Sequence, residues 1–563
     1  MPSATVHDGR ILVTDVEYRD RDSMKLIPGS SYKGQWTVPL KWPVLVILKD
    51  TFGDKLTVGK SVADWAWTEY STRVEPALEA RTRALEQDAD APGDPRLWPL
   101  QRTAVDFLVT SEGAVLEDHM GMGKTATMIA TLEMQDAYPA LIVCPNSVKP
   151  VWAKEFAAWA PQRIVRVVQG GMATRRKQLL DETADVFVIN WEGLRGHSRI
   201  GGYGSIKLTD AEKVHKELNR PWKAVVADEA HKALKPRAKQ TRALWAIGAS
   251  ARVRYAMTGT PIDGHTESLW SLLHFVAPEE WPSRTKFIDR YCLMSWNTFG
   301  GMDVVGLNPR HADELHKLIA PRTLRRPKSW LNLPDKLPPS TRYAEMTPKQ
   351  AKAYKSLAEE YVADVDGGMM MAFSPMVIAG RLSQLASASI ELDDEDKPKL
   401  CLPSNKINVL LEALEELGDD RAVVFMSSAQ LLQLTLHKLL EEGISVSCVV
   451  GGQNGYDREA QIQSFIRGDT RVILLTYGAG SEGLDGLQHI CSTQINLQRS
   501  WSMIENRQAA ERLHRPGQKE VVTTIDIVAP GSVEEHQIEA VLDKDDRMEE
   551  IVQDHNWLRR MLP

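Results

Sequence analysis

The 563-residue chain has little cysteine, and none of it stands at metal-binding spacing: Cys144, Cys292, Cys401, Cys448 and Cys491 are scattered, with no C-x-x-C pair. That argues against a disulfide-stapled scaffold and a zinc module, and it fits a reducing, cytoplasmic setting. Long apolar runs are missing too. The longest, such as 44–48 and 140–144, fall far short of the ~20 residues a membrane-spanning helix needs, and no charged-then-apolar leader opens the sequence. No membrane partner is therefore expected. Positive charge is not in excess: the net charge is −7, so any nucleic acid must be held by local basic surfaces. Fixed-period repeats and low-complexity tracts are absent, which sets aside solenoids and disordered tails. What remains, 43% hydrophobic and 25% charged, is ordinary globular composition, long enough for about three or four domains.

The stretch that organises the rest follows a short apolar run at 114–116. It reads Glu117-Asp118-His119-Met120-Gly121-Met122-Gly123-Lys124-Thr125 and leads into a segment, 125–132, of good helical spacing. Strand, glycine-bearing turn and helix in that order make a phosphate-binding loop. Gly121 and Gly123 let the backbone approach phosphate oxygens, and the helix offers its free N–H groups to the anion. Lys124 would reach the terminal phosphates, and Thr125 would hold magnesium through its hydroxyl. Asp118 stands where the G-x-x-x-x-G-K-[ST] pattern has its first glycine.

Residues 1 to about 70 read as short strands and turns, with strands at 11–13, 36–38 and 44–48. Between Lys25 and Lys60 six lysines face only Asp50 and Asp54, with Trp36 and Trp42 interleaved. Two readings stand: a nucleic-acid contact made of charge and stacking faces, or core tryptophans beside a solvated lysine face. A helix over 74–87 precedes a linker rich in proline and acids, 88–95. Beyond it, strand-length runs at 113–116, 140–144, 186–189, 224–227 and 254–257 alternate with helical patterns, which predicts a parallel sheet with ligands at the carboxyl ends of its strands. One run ends in Asp228-Glu229-Ala230-His231. A carboxylate there is costly without a cation, so Asp228 is placed to hold magnesium with Thr125, and Glu229 to orient or deprotonate water. A second α/β block starts near Ser404, with strands at 422–426, 445–450 and 472–475 and helices at 406–417, 431–442 and 457–466. It has no phosphate loop, but Arg512 and Arg515 in its 508–518 segment are spaced to share a helical face and to supply guanidinium charge to phosphoryl transfer.

Taken together, these motifs resemble the Swi/Snf-type branch of the superfamily-two helicases over roughly residues 98–538. DHMGMGKT at 118–125 is similar to the family's DEMGLGKT, where an acid also replaces the first glycine. Leu100-Gln101-Arg102 resembles the adenine-reading glutamine motif. The segment 141–145 with Trp152 and Glu155-Phe156 resembles motif Ia, Asn190-Trp191-Glu192 the next strand-end motif, and 258–262 with Leu269-Trp270-Ser271-Leu272-Leu273 motif III and its sequel. Leu324-Arg325-Arg326-Pro327-Lys328 resembles the basic segment leaving the first lobe, 479–485 motif V, and 508–518 motif VI. Two departures stand out: Ser481 and Glu482 where the family has Gly-x, and Glu511 where it has glycine. The segment Lys25 to Tyr32 with 36–39 also resembles the recognition segment preceding the motor in annealing helicases.

The resemblance implies an α/β chain of two tandem RecA-like lobes behind a small strand-rich N-terminal domain. The expected domains are 1–90, lobe 1 over 91–335, a helical linker 336–403, lobe 2 over 404–540 and a helical tail 541–563. It implies a DNA-dependent ATPase using ATP and magnesium, with Lys124, Asp228, Glu229, Gln508, Arg512 and Arg515 catalytic and Thr125 and Asp228 holding the metal. Gln101, residues Asp118, His119, Met120, Gly121, Met122, Gly123, Lys124 and Thr125, and Gly483 and Asp485 would bind the nucleotide. Lys149, Trp152, Asn190, Thr260, Arg325, Arg326, Ser427, Thr476 and Trp501 would contact DNA, duplex or forked and without sequence preference. A monomeric bacterial or phage enzyme of replication, repair or recombination is expected. A strand-separating DNA or RNA helicase of the DEAH type, and an ATP-gated annealing protein without processive motion, are the alternatives.

Overall fold

The computed structural model describes residues 1–198, 217–259, 266–296, 301–372, 375–453, 455–480, 484 and 486–538. The alternating apolar runs become two separate parallel sheets, in two compact units: Met1–Trp330, and a second beginning at Leu331.

The first unit opens with β1 (Ser3–His7), β2 (Arg10–Thr14), β3 (Ser31–Tyr32), β4 (Trp36–Pro39) and β5 (Thr57–Val58), which form a sheet ordered β3–β4–β2–β1–β5, antiparallel except between β1 and β5. Residues 44–48, expected as a strand, lie instead in a helix, Trp42–Phe52. Val44, Leu45, Ile47, Leu48 and Phe52 bury one face at helical spacing, and Pro43 sits in the first turn, where its missing N–H costs nothing. The helix expected over 74–87 starts earlier: Lys60–Glu69 continues through a π-helical turn, Tyr70–Val74, into Glu75–Ala84. Ala80 and Ala84 pack into one core with Phe107, Leu108, Ala114 and Leu116, so the end of this helical run belongs to the first lobe, whereas at its start Ser61 Oγ accepts from the Val6 amide of the small sheet (3.1 Å). The small domain rests on that lobe through Arg290 with Asp50 (3.0 Å), Lys41 with Glu279 (3.3 Å), and Lys286 donating to the Lys25 carbonyl. Trp36, 8% exposed, packs on Tyr32, and Trp42 packs on Tyr70. Trp36 is therefore a core residue, whereas Trp42 is half-buried.

The lobe-1 sheet is built from β6 (Ala114–Leu116), β7 (Ala140–Cys144), β8 (Val165–Val167), β9 (Val186–Asn190), β10 (Trp222–Asp228) and β11 (Ala251–Met257). A hairpin of β12 (Cys292–Trp296) and β13 (Met302–Leu307) follows, and then β14 (Thr323–Leu324) returns to the sheet. Among the described residues the order is β14–β6–β11–β10–β7–β9–β8, with every pairing parallel. Runs buried on both faces, such as Ala140–Cys144, are what a sheet covered by helices on both sides requires. The register aligns Leu116 with Met257 and Met257 with Asp228, which brings the phosphate loop and the acidic turn to one edge.

The second unit contains β15 (Ser340–Tyr343), the hairpins β16–β17 (Val362–Val365, Gly368–Met371) and β18–β19 (Ser389–Leu392, Pro398–Cys401), and then β20 (Ala422–Met426), β21 (Val446–Val449), β22 (Val472–Thr476), β23 (Thr493–Gln498) and β24 (Thr523–Val528). Its main sheet is ordered β15–β24–β23–β20–β22–β21, again parallel throughout. The segment 336–403 is thus more than a helical linker: one hairpin follows helix Pro348–Glu360, a second follows helix Pro375–Ser387, and the segment gives the sheet its edge strand β15. No helix among the described residues is long and apolar enough to cross a membrane.

Candidate active site

The phosphate loop leaves β6, whose three residues are fully buried, and enters the helix Lys124–Met134. Gly121 (φ 86°) and Gly123 (φ 74°) adopt the left-handed conformation the turn needs. A Cβ on Gly123 would fall 2.1 Å from Gln101 Nε2, so the loop is closed down on that glutamine. Gln101 is buried; its Oε1 accepts from the Trp98 amide (2.9 Å), and its Nε2 lies 3.5 Å from the Met122 and Gly123 carbonyls. The glutamine expected to read adenine thus caps its own helix and lies against the phosphate loop. Met120 and Met122 are buried as well, which leaves their backbone to face an anion. Lys124 Nζ donates to the carbonyls of Asp118 (2.8 Å) and His119 (3.2 Å). Thr125 stands in the first turn, among amides that the helix itself leaves unpaired.

Asp118 does not face the loop's interior. Its carboxylate accepts from Arg326, with Nε 3.1 Å from Oδ1 and a second bond from the other branch of the guanidinium, while Arg326 also donates to the Leu100 carbonyl and to Thr103 Oγ1 (3.4 Å). Arg326 is 0% exposed, so its assignment to DNA is corrected: it is a buried partner of the loop. The cause is β14, two residues long, which pairs with β6 and carries the following arginines under the loop. Arg325 is buried beside Glu117, whose carboxyl is pushed up to about 7 by burial, against the pull of Arg325 and Arg81.

At the end of β10, Asp228 is buried, and both its oxygens are engaged: Trp152 Nε1 donates to Oδ2 (2.8 Å) and the Glu229 amide to Oδ1 (2.9 Å). Trp191 Nε1 donates to its backbone carbonyl (3.1 Å). Burial pushes the Asp228 carboxyl up to about 7, the adjacent Glu229 charge adds to this, and the Trp152 N–H and the Lys124 ammonium oppose it. A buried carboxylate that favours losing its charge, with a lone pair remaining on each oxygen, fits a hard divalent cation as its missing counterion. Glu229 holds φ 50°, a strained conformation for a non-glycine residue, and its Oε2 is 3.2 Å from His231 Nδ1, which in turn meets Thr258 Oγ1 at 3.3 Å. The Ser271 hydroxyl donates to the Ala233 carbonyl, which ties helix Thr266–Val276 to the acidic turn.

Three further residues expected to contact DNA are buried. Trp152 is fully buried under Asp228, and Lys149 is buried with its ammonium on the Val168 carbonyl (3.0 Å), desolvation and then Arg175 lowering its pKa. Asn190 is buried too, its Nδ2 donating to Glu192 (2.6 Å) and its Oδ1 accepting from Arg175 (3.3 Å).

In the second unit, helix Met503–Ala510 ends before the arginines, so Arg512 and Arg515 do not share a helical face. They converge by another route: Arg512 and Arg515 both donate to the Leu484 carbonyl, at 2.8 and 3.3 Å, and Arg515 also to the Glu511 carbonyl. Gln508 is buried on that helix. Ser427 is exposed at the end of β20 and donates to Gln498 Oε1 (2.7 Å); Thr476 closes β22; Trp501 is 47% exposed. Thr260, Gly483 and Asp485, with Ser481 and Glu482, lie outside the described residues. Reading the sequence missed Trp191 as a backbone donor, Thr258 as the partner of His231, and Gln498. Nothing in their spacing distinguishes them, because each acts through a contact between distant strand ends.

The SNF2-related domain profile matches residues 60–389, and that of the helicase conserved C-terminal domain matches 405–517. YwqA of Bacillus subtilis (strain 168), which carries a name in the ATP-dependent helicase/translocase class, is 26% identical over 488 residues, 83% of this chain and 50% of that protein. Human "DNA annealing helicase and endonuclease ZRANB3" is 24% identical over 457 residues, 78% of this chain and 39% of that protein. The chain thus spans half or less of the length of these relatives. The Sulfolobus solfataricus SWI2/SNF2 ATPase core in complex with dsDNA aligns at 22% identity with a TM-score of 0.37, covering 83% of this chain and 95% of that one.

Proposed function

The chain belongs to the SNF2-related family, and from that premise we propose that it is an ATP-driven translocase that hydrolyses ATP while tracking duplex or forked DNA. The observation that carries this reading is the meeting of a phosphate loop bearing Lys124 with the buried, cation-seeking Asp228 at one edge of a parallel sheet. Lys124 exchanges two loop carbonyls for phosphate oxygens when ATP enters, so its ammonium is already aimed at the site. Magnesium, when bound by Asp228 and Thr125, neutralises charge on the phosphates. Glu229, steadied by His231, orients and deprotonates the attacking water. Arg512 and Arg515 are assigned to supply guanidinium charge to phosphoryl transfer, Gln508 is assigned to the same chemistry as a neutral hydrogen-bonding amide, and Gly483 and Asp485 are assigned to nucleotide contact. DNA contact is assigned to Ser427, Trp501, Thr260 and the backbone at Thr476, and is read through phosphates without sequence preference.

Two substitutions test the hydrolytic site. Lys124→Ala removes a ground-state phosphate contact and should weaken ATP binding together with turnover, whereas Glu229→Gln should abolish turnover with binding within a few-fold of wild type. Equilibrium nucleotide binding and steady-state hydrolysis on the same preparations separate the two. Wild-type hydrolysis by Glu229→Gln would remove the water-orienting role.

A further inference from the structure

We infer that Trp152 is a positioning residue for the metal-binding carboxylate, an inference that rests on the reading of Asp228 as a magnesium ligand. Trp152 lies on helix Lys149–Trp159, is 0% exposed, and packs its ring on Phe156 with centroids 6.0 Å apart. Its one polar atom makes one bond, to Asp228 Oδ2 at 2.8 Å. Asp228 Oδ1 is held by the Glu229 amide, and the residue's own carbonyl is held by the Trp191 indole. Two indoles, arriving from the helix after β7 and from the end of β9, therefore clamp one residue by its carboxylate and by its backbone.

The chemistry of indole explains why this residue type suits the position. The terminal torsion of an aspartate is broad, so without a donor on Oδ2 the carboxylate plane is free to turn. Magnesium demands near-octahedral geometry at about 2.0–2.1 Å and tolerates such turning poorly. The indole N–H is donor only: it has no lone pair to compete for the cation, it does not titrate near neutral pH, and its rigid ring is locked by packing. A histidine or a hydroxyl there could reverse its hydrogen bond, and tryptophan cannot. Partners that orient ligand side chains typically contribute 10–100-fold to metal affinity when removed.

The test is the magnesium dependence of fluorescent-ADP binding, titrated from excess EDTA upward, in wild type, Asp228→Asn, Trp152→Phe and Trp191→Phe. Trp152→Phe keeps an aromatic ring on Phe156 and removes the N–H together with part of the indole volume. The magnesium concentration giving half of the affinity gain should rise 10–100-fold in Trp152→Phe, while nucleotide affinity in EDTA stays within two-fold; Trp191→Phe should move it less. If Trp152→Phe does not fold, 3-benzothienylalanine at position 152 keeps the indole shape without the N–H and is read in the same way. An unchanged magnesium midpoint, or an equal loss of affinity in EDTA, overturns the inference. Should wild type and Asp228→Asn respond alike to magnesium, the assignment of Asp228 as ligand fails instead, which is a distinguishable result.

Discussion

Glu117 and Asp118 are adjacent at the end of β6 and meet different fates. Asp118 is paired with Arg326, whereas Glu117 is buried deeply enough that two nearby arginines do not restore its ordinary acidity, and its carboxyl sits at about 7 instead of 4.5. Because its folded value is raised, the native state keeps a proton that the unfolded chain has already lost between pH 4.5 and 7. The stability this proton represents is fully present below 4.5 and is lost as pH rises through 7, amounting to about 3 kcal/mol at most. Glu117→Gln should therefore raise the melting temperature relative to wild type by a margin that grows from pH 5.5 to pH 8; thermal melts across that range check it, and a margin independent of pH would contradict it. The placement of Lys124 at a helix start and of Asp228 and Glu229 at a strand end was legible, because each has a diagnostic neighbour. It was not legible for Lys149, Trp152 and Arg326, since a cation or a ring reads the same in sequence whether it faces solvent or a buried carboxylate.

Among elements, strands made of continuous apolar runs were the readable ones: Ala140–Cys144 and Ala422–Met426 coincide with their runs, whereas the equally buried Thr493–Gln498 alternates polar and apolar residues and was missed. Other missed elements were exposed or short. β8 and β15 are partly exposed edge strands, β14 is two residues long, and the helix Trp42–Phe52 begins in an apolar run too short to reveal its period. The position of the following helix matters for experiment, because Ala80 and Ala84 pack into the lobe-1 core and a truncation at residue 90 would strip them away. Removal of residues 1–59 is the sound test of the N-terminal domain. Lys33, Lys49 and Lys55 are exposed on it, so a role in holding a branched substrate predicts that the truncated protein keeps its plain-duplex ATPase activity and loses any preference for forks. Fork and duplex stimulation compared before and after truncation decide it; an unchanged preference would reduce the domain to a cover over Glu279 and Arg290.

For the molecule as a whole, the division into two parallel sheets was visible as two blocks of alternating strand and helix patterns, and the structure confirms both, each with its own strand order. A net charge of −7 spread over such a chain leaves DNA contact to a few local groups, and burial of Lys149 and Arg326 shortens that set further. A sequence-blind motor and an ATP-gated annealing protein would use the same phosphate loop, acidic turn and arginines, so only movement separates them. The most direct measurement is displacement of a third strand from a duplex–triplex junction by the wild-type protein with ATP, beside the same reaction with Glu229→Gln. Translocation predicts release of the third strand that requires hydrolysis and slows as the duplex track between loading site and triplex lengthens. Duplex-stimulated ATP hydrolysis that leaves the triplex in place would contradict it.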